Sequence, residues 1–505
     1  MDGAEQIEAP AKARGGHKLT EGPITSTLFW FSLPVLGSNV LQSLNGSVNA
    51  VWVGQFLGEA GLTATANANL VLFLMLGAVF GVGMAANIMV AQAIGSRDMD
   101  RAKRVVGTSA AFFIVASLAV ALLGFLMTPT ILRWLGTPGE ALPLAESYLR
   151  IIFTALPFMY FLTFLMMTLR GSGDARTPLI FMGLTVVIDV GLNPLLIQGM
   201  EPFPRMGIAG SATATLIGQI ISLVAMLTYI YRRKLPLRLT GSELAYLKPD
   251  LSILKATVAK GLPMGLQIIV VSGSAIVMMG MVNAHGTVTA AAYGVAAQLW
   301  TYIQMPAMAI GAAASSMAAQ NVGAGQWRRV ELTARAGVLI NLVLTGALVL
   351  LVDLAERYML RLFLPGDAAA IGVATHINAI VAWSFIMFGM TFVLFGVVRS
   401  TGAVTPPLIS LAISLFGVRV LFARFFEPQM GADAIWWSFP ISMAASALMA
   451  FGYYRFGGWR KARMAPVREA GESIPTGYAT PAMDADCPED EDCEDETAAA
   501  RVPAE

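Results

Sequence analysis

Residues 26–56 read STLFWFSLPVLGSNVLQSLNGSVNAVWVGQF, a stretch without one Asp, Glu, Lys or Arg. As helix, a run of about 30 residues extends about 45 Å, enough to cross the hydrocarbon core of a bilayer and its headgroup layers. The stretch is one of twelve. Apolar runs between charged or Gly/Pro punctuation predict further spans at 63–95, 102–128, 142–170, 176–198, 207–231, 253–283, 288–321, 332–355, 369–398, 405–426 and 433–455. Composition agrees with this reading. Of 505 residues, 56% are hydrophobic and 13% charged, against roughly 25% charged in soluble domains. The mean hydropathy is +0.66. So many apolar residues exceed the need of one soluble core. A soluble enzyme, a secreted disulfide scaffold and a nucleic-acid binder are excluded, and the lipid bilayer is the chain's first partner.

Lys and Arg orient the spans. About 26 of the 33 fall in the N-terminus, the loops after even-numbered spans and the C-terminus. Clusters stand at Arg97/Arg101/Lys103/Arg104, Arg232/Arg233/Lys234/Arg238 and Arg455/Arg460/Lys461/Arg463. The positive-inside rule places those segments and both termini in the cytoplasm, and the chain in the inner (cytoplasmic) membrane as a multi-pass protein. The first 24 residues are polar and the first apolar run is too long for an h-region, so no cleavable signal peptide is expected. The predicted organisation is a cytoplasmic segment 1–24, a six-helix bundle 25–231, a cytoplasmic linker 232–252, a second six-helix bundle 253–456 and a tail 457–505. That tail carries DADCPEDEDCEDE and almost no aliphatic content, a composition that predicts disorder. It also holds both cysteines, Cys487 and Cys493, which read as solvated thiols. With His17, His285 and His376 scattered along the chain, no metal site is expected.

The two halves align at a nearly constant offset. Leu33-Pro34 matches Leu262-Pro263 at 229 residues; Ala91-Gln92 and Gly95 match Ala319-Gln320 and Gly323 at 228. Arg170, Gly173 and Pro178 match Arg399, Gly402 and Pro407 at 229 again. Each half has six spans, an even number, so both halves enter the membrane from the same side. The fold class is therefore an all-α membrane protein of twelve transmembrane helices in two parallel-repeat six-helix bundles. Such duplication favours transport, with a site between the bundles and alternating access by rocking one against the other.

Several strings carry a family resemblance. LPVLGSNVLQSLNGSVNAVWVGQFLG, MAANIMVAQAIGSRDMDRAKRVV, LRGSGDARTP, DVGLNPLLI and GIAGSATATLIGQ in the first half resemble the multidrug and toxic compound extrusion (MATE) family. MPAMAIGAAASSMAAQNVGAG and RSTGAVTPP do so in the second half, and the resemblance covers roughly residues 25 to 456. It implies a secondary active antiporter that exports amphipathic, often cationic, small molecules in exchange for protons or sodium ions. It implies no enzyme activity.

Polar groups at membrane depth cost free energy unless paired or functional. Asp189 is the acid that falls deep inside a span, where a charged Asp costs about 2.5–3.5 kcal/mol on insertion scales. Asn193 lies four residues on, on the same helix face. On the first span Gln42, Asn45 and Asn49 form one polar stripe, and Thr215 adds a hydroxyl on the sixth. One carboxylate with several neutral oxygens suits a proton relay or a hard cation such as sodium. The competing reading for the stripe is interhelical hydrogen bonding, worth about 0.6 kcal/mol per bond. Thr215 has the alternative of bonding its own helix.

The resemblance adds positions to these. It implies a functional acid on the first helix in a V-D-T-like string, where this chain reads Val48-Asn49-Ala50. It implies fifth-helix positions that fall on Asp189 and Asn193, and a sixth-helix Thr at Thr215. A subgroup's seventh-helix Glu after Leu-Pro is absent: GLPMGLQIIVVSGS offers Ser272 and its neighbours. Asp189 is left as the coupling carboxylate. Gln42, Tyr160, Gln267, Ser272, Tyr293, Gln298 and Gln304 are candidates to line a substrate cavity, each equally readable as packing or interhelical bonding.

Two rival functions differ in the residues they need. A flippase for lipid-linked sugars, from the same superfamily, would use basic groups at depth, and Arg419 and Arg424 on the eleventh span supply two. A membrane-embedded enzyme would need a nucleophile, a metal set or an acid/base pair. The sequence has no HExxH, no Cys within a span and no close pair of acids at depth. No Walker A string GxxxxGK[ST] is present, so ATP is not expected to drive transport. The expected state is a monomer with no cofactor beyond the coupling ion, H+ or Na+.

Overall fold

The structure, a computed structural model, describes residues 19–201, 203–363 and 368–464. The segment with His17 and the acidic tail with Cys487 and Cys493 lie outside the described residues. The first element, α1 (Ile24–Gly95), is long enough to cross a membrane twice. Its helical geometry breaks at Gly58, with φ 67° and ψ −159°, a conformation open to a residue without Cβ. The first two predicted spans therefore meet at one residue. The remaining elements of the first half are α2 (Met99–Trp134), α3 (Leu142–Gly171), α4 (Arg176–Gln198) and α5 (Ile208–Arg232).

In the second half, α6 (Leu251–Asn283), α7 (Thr287–Gly323) and α8 (Trp327–Phe363) each make one span. The tenth is divided into α9 (Ala368–Val381) and α10 (Phe385–Arg399) by a 3₁₀ turn at Ala382–Ser384. The eleventh runs through α11 (Thr405–Ala412), a π-helical segment Ile413–Val420 and α12 (Leu421–Met430), and α13 (Asp433–Phe456) closes the series. Twelve spans result among the described residues. Carboxylates start several of them: Asp98 accepts from the Arg101 amide on α2, and Asp174 accepts from the amides of Arg176 and Thr177 at α4. Gly173 (φ 92°) and Gly402 (φ 103°), predicted turn residues in matching places of the two halves, both take left-handed backbone. On α2, Val115, Leu118, Leu122 and Leu126 are exposed along one face, as a lipid-facing helix requires.

Packing links the halves reciprocally. Leu28, Phe31 and Val35, at the start of α1, sit in a core with Ala313 and Met317 of α7, Val330 of α8 and Val397 of α10. Conversely Ala256 and Met264 of α6 belong to the core of the first half, beside Met84, Ile88 and Tyr148. Each half thus buries the opening helix of the other. Small residues allow it: a Cβ on Gly81 would lie 2.3 Å from the Gly261 carbonyl oxygen, so α1 and α6 touch backbone to backbone. The linker is ordered and docks on α2. Its 3₁₀ turn Gly241–Leu247 pairs Glu243 with Lys103, and Tyr246 hydrogen-bonds Asp100.

At the end of the molecule that carries the basic loops, residues matched by the repeat meet one another. Gln92 Nε2 donates to the Ser400 carbonyl at 2.6 Å, and Gln320 Nε2 to the Gly171 carbonyl at 2.8 Å. Between them the Asn87 amide reaches the Ser316 hydroxyl at 3.5 Å. Gly95 and Gly323 pack so tightly that a Cβ on either would lie 1.9 Å from the Gln320 or the Gln92 carbonyl oxygen, respectively. This junction closes one end of the contact between the halves.

Candidate functional site

Two helices running the same way set a ladder of polar rungs in the first half. Asn45 and Asn49 stand one turn apart on α1, as Asp189 and Asn193 do on α4. Asn45 Nδ2 donates to Asp189 Oδ2 at 2.8 Å, and Asn193 Nδ2 donates to Asn49 Oδ1 at 3.0 Å. The third side comes from α5. Thr215 Oγ1 lies 3.1 Å from Asp189 Oδ1, and Ser211 Oγ donates to Asn49 Oδ1 at 2.7 Å. Thr215 also lies 3.4 Å from the Ser211 carbonyl, so it is shared between its own helix and the carboxylate. Asp189 is 2% exposed and Asn193 1%. The five residues singled out for ion coupling therefore form one connected cluster.

Its chemistry is that of oxygens. Both carboxylate oxygens of Asp189 accept from neutral donors, and no cation pairs with it among the described residues. Two further buried acceptors, Asn45 Oδ1 and Asn193 Oδ1, have no donor. A bare cation would meet carboxylate and amide oxygens here, the ligand type of hard ions. A proton on Asp189 would instead turn one oxygen into a donor, which Asn45 can accept from once its amide turns over. Ser211 and Tyr148 complete the surroundings and were not anticipated from sequence. Ser211 stands four residues before Thr215 and so shares its face, a signal that was available. Tyr148 of α3 lies beside Asn49 and Asp189, and nothing local in LPLAESYLR marks it.

The candidate cavity residues are dispersed. Gln42 continues the α1 stripe but is exposed, and Tyr160 is buried in the first core with its hydroxyl unpartnered. Ser272 donates to the Ile268 carbonyl and Gln304 to the Trp300 carbonyl, each within its own helix. Gln298 is half-buried on α7. Tyr293 joins an aromatic cluster, its ring 5.7 Å from Trp300 and 5.9 Å from Trp436. Gln267 is buried and accepts from Arg399 at 2.9 Å.

The MatE family pattern matches this chain twice, over residues 34–195 and 263–425. The chain belongs to the MATE family. The two matched stretches begin 229 residues apart, the spacing of the internal repeat, and end within the fifth and the eleventh span, the fifth of each half. A Bacillus subtilis relative, the probable multidrug resistance protein YoeA, is 33% identical over 88% of this chain and 96% of its own length. The probable multidrug resistance protein NorM of Thermotoga maritima is 23% identical over 87% of this chain and 94% of its own. Among solved structures, an outward-facing conformation of a multidrug resistance MATE family transporter aligns with a TM-score of 0.81. It is 21% identical over 88% of this chain and 98% of its own. A crystal structure of MATE in complex with MaL6 aligns at 0.82, with 21% identity, 88% of this chain and 99% of its own. This MATE protein is thus a multi-pass membrane protein of a multidrug-efflux transporter family, as its strings and its twelve spans lead one to expect.

Proposed function

We propose that this MATE protein is a secondary antiporter that exports amphipathic, often cationic, small molecules in exchange for protons or sodium ions, with Asp189 as the coupling carboxylate. The observation that carries the proposal is the pair of hydrogen bonds from Asn45 and Thr215 to Asp189, beside two acceptors left open on Asn45 and Asn193. The site accepts a cation by using those oxygens and releases it by restoring the present bonds. Its occupancy is transmitted through α1, because Asn45 lies about three to five turns beyond Leu28, Phe31 and Val35, which are embedded in the second half. Pro34 within that stretch removes one backbone donor and gives the helix a place to bend. Residues 25–231 and 253–456 act as the two bodies that rock, with the basic loops and both termini in the cytoplasm of an inner membrane and a single chain as the working unit. The closed junction at Gln92 and Gln320, on the side of the basic loops, supports reading the present state as one that opens away from the cytoplasm.

A monovalent ion crossing about 100 mV supplies about 2.3 kcal/mol, enough for roughly a fifty-fold gradient of a neutral exchanged solute. The test is Asp189→Asn in inside-out vesicles, with pH and sodium gradients imposed separately while a fluorescent cation is followed. Ion-driven transport is expected to vanish with the protein still present in the membrane; full transport would remove Asp189 from the mechanism.

A further inference from the structure

We propose that the second half of the molecule binds a small monovalent anion at the Nε/Nη2 edge of Arg399, beside Gln267. Arg399 ends α10 and is 5% exposed, with its guanidinium against the Phe392 ring at 5.4 Å. Its Nη1 donates to Gln267 Oε1 on α6 at 2.9 Å. That contact fixes the Gln267 amide, since a guanidinium has donors and no acceptor, so Oε1 faces Arg399 and Nε2 faces elsewhere. Three buried donors are then left over: Arg399 Nε, Arg399 Nη2 and Gln267 Nε2 have no partner among the described residues. Covalent geometry holds all three within the span of two touching side chains.

Among the described residues no carboxylate pairs with Arg399. The neighbouring cation, Lys260 on α6, donates to the Gly402 carbonyl, three residues beyond Arg399. A buried guanidinium without a counter-charge is uncompensated, and an anion accepting from the spare Nε and Nη2 of Arg399 compensates it. The first half does not repeat the arrangement. Arg170 is the repeat counterpart of Arg399 and also leaves its Nε unpartnered, but the position matching Gln267 is Ser38, which bonds back to the Pro34 carbonyl. Arg170 lines a small cavity shared with Asn87, Met84 and Ser316 at the junction instead. The anion site is a property of the second half, one residue from the Ser400 carbonyl that Gln92 holds.

The test uses full-length purified protein in detergent at constant ionic strength, with bulky gluconate replaced stepwise by chloride or, separately, by acetate. A saturable rise in thermal stability with either anion is expected, with radioactive chloride binding measured directly in parallel. A response to chloride alone assigns the site to an inorganic anion; a response to acetate and longer carboxylates assigns it to acidic cargo. Gln267→Glu supplies a built-in carboxylate to Arg399 and keeps the fold, so it should weaken anion binding at least tenfold and stabilise the anion-free protein. Arg399→Gln should abolish binding. No saturable effect of chloride or acetate on the wild type overturns the proposal, as water then fills the site; so does unchanged anion binding in Gln267→Glu. Both readouts are independent of transport, so they stand whether or not Asp189 couples ions.

Discussion

Asp189 shows how little of a polar site needs to be charged. Its two oxygens are held by an amide and a hydroxyl, and each bond to a charged group is worth about 1.5–3 kcal/mol. Removing the donor on α1 by Asn45→Leu also cuts the tie between the carboxylate and the helix shared by both halves. Ion-driven export in that variant is expected to fall at least tenfold at equal membrane abundance, whereas Ser211→Ala, which leaves Asn193 bonded to Asn49, should lose threefold or less. Equal losses in the two variants would contradict the ladder. The members of this cluster were readable from sequence because polarity at membrane depth stands out against apolar surroundings. Their pairing was not, since Asn45 and Asp189 are far apart in the chain and helical periodicity only places residues on a face. Gln267 shows the opposite case. It looked like several other amides, and its meaning depends on Arg399, which sits at a helix end where basic residues are ordinary.

At the level of elements, hydropathy located the spans well and their joints poorly. Residues 57–62 contain two glycines and a glutamate and read as a loop, yet a single residue, Gly58, makes the break. The 3₁₀ turn and the π-helical segment of the tenth and eleventh spans leave no mark in an apolar run, because hydrophobicity is blind to the number of residues per turn. The glycines of the junction have a sharper consequence. Gly95→Ala or Gly323→Ala drives a Cβ to 1.9 Å from a carbonyl oxygen, so the facing backbone must move apart. In a background with Cys487→Ser and Cys493→Ser, a cysteine introduced as Ser316→Cys should react with a water-soluble maleimide at least tenfold faster once either glycine is replaced. An unchanged rate would mean that the junction does not control access. The linker offers a pH test. A hydrogen bond from Lys103 and then one from the Thr240 amide hold Glu243 below the ordinary carboxylate range. The stabilisation is therefore present above that range and is lost as pH falls through the lowered value. Wild type should exceed Glu243→Gln slightly in melting temperature at pH 7, and the difference should close below about pH 4. A gap that widens in acid would reverse the sign of this argument.

On the scale of the whole molecule, the reciprocal burial of opening helices makes the halves interdependent. A chain beginning at residue 251 lacks Leu28, Phe31 and Val35 and leaves their places in the second core empty. Expressed alone it should be degraded, and co-expression with residues 1–250 should restore both halves to the membrane, as followed by immunoblot of each fragment. Stable accumulation of the second fragment by itself would show that its core closes without the first helix.

The contact of Asn87 with Ser316 has one more implication. The two are 229 residues apart, the same interval that separates the matched motifs. In a symmetric homodimer, a residue on the dyad touches its own copy, and its neighbours exchange contacts crosswise, as Gln92 and Gln320 do here. The chain is built as such a dimer tethered into one polypeptide. Fusion freed the twins to diverge, and Asn facing Ser at the former self-contact, or Gln267 bonding Arg399 where its counterpart Ser38 bonds its own helix, marks where each copy took up its own chemistry.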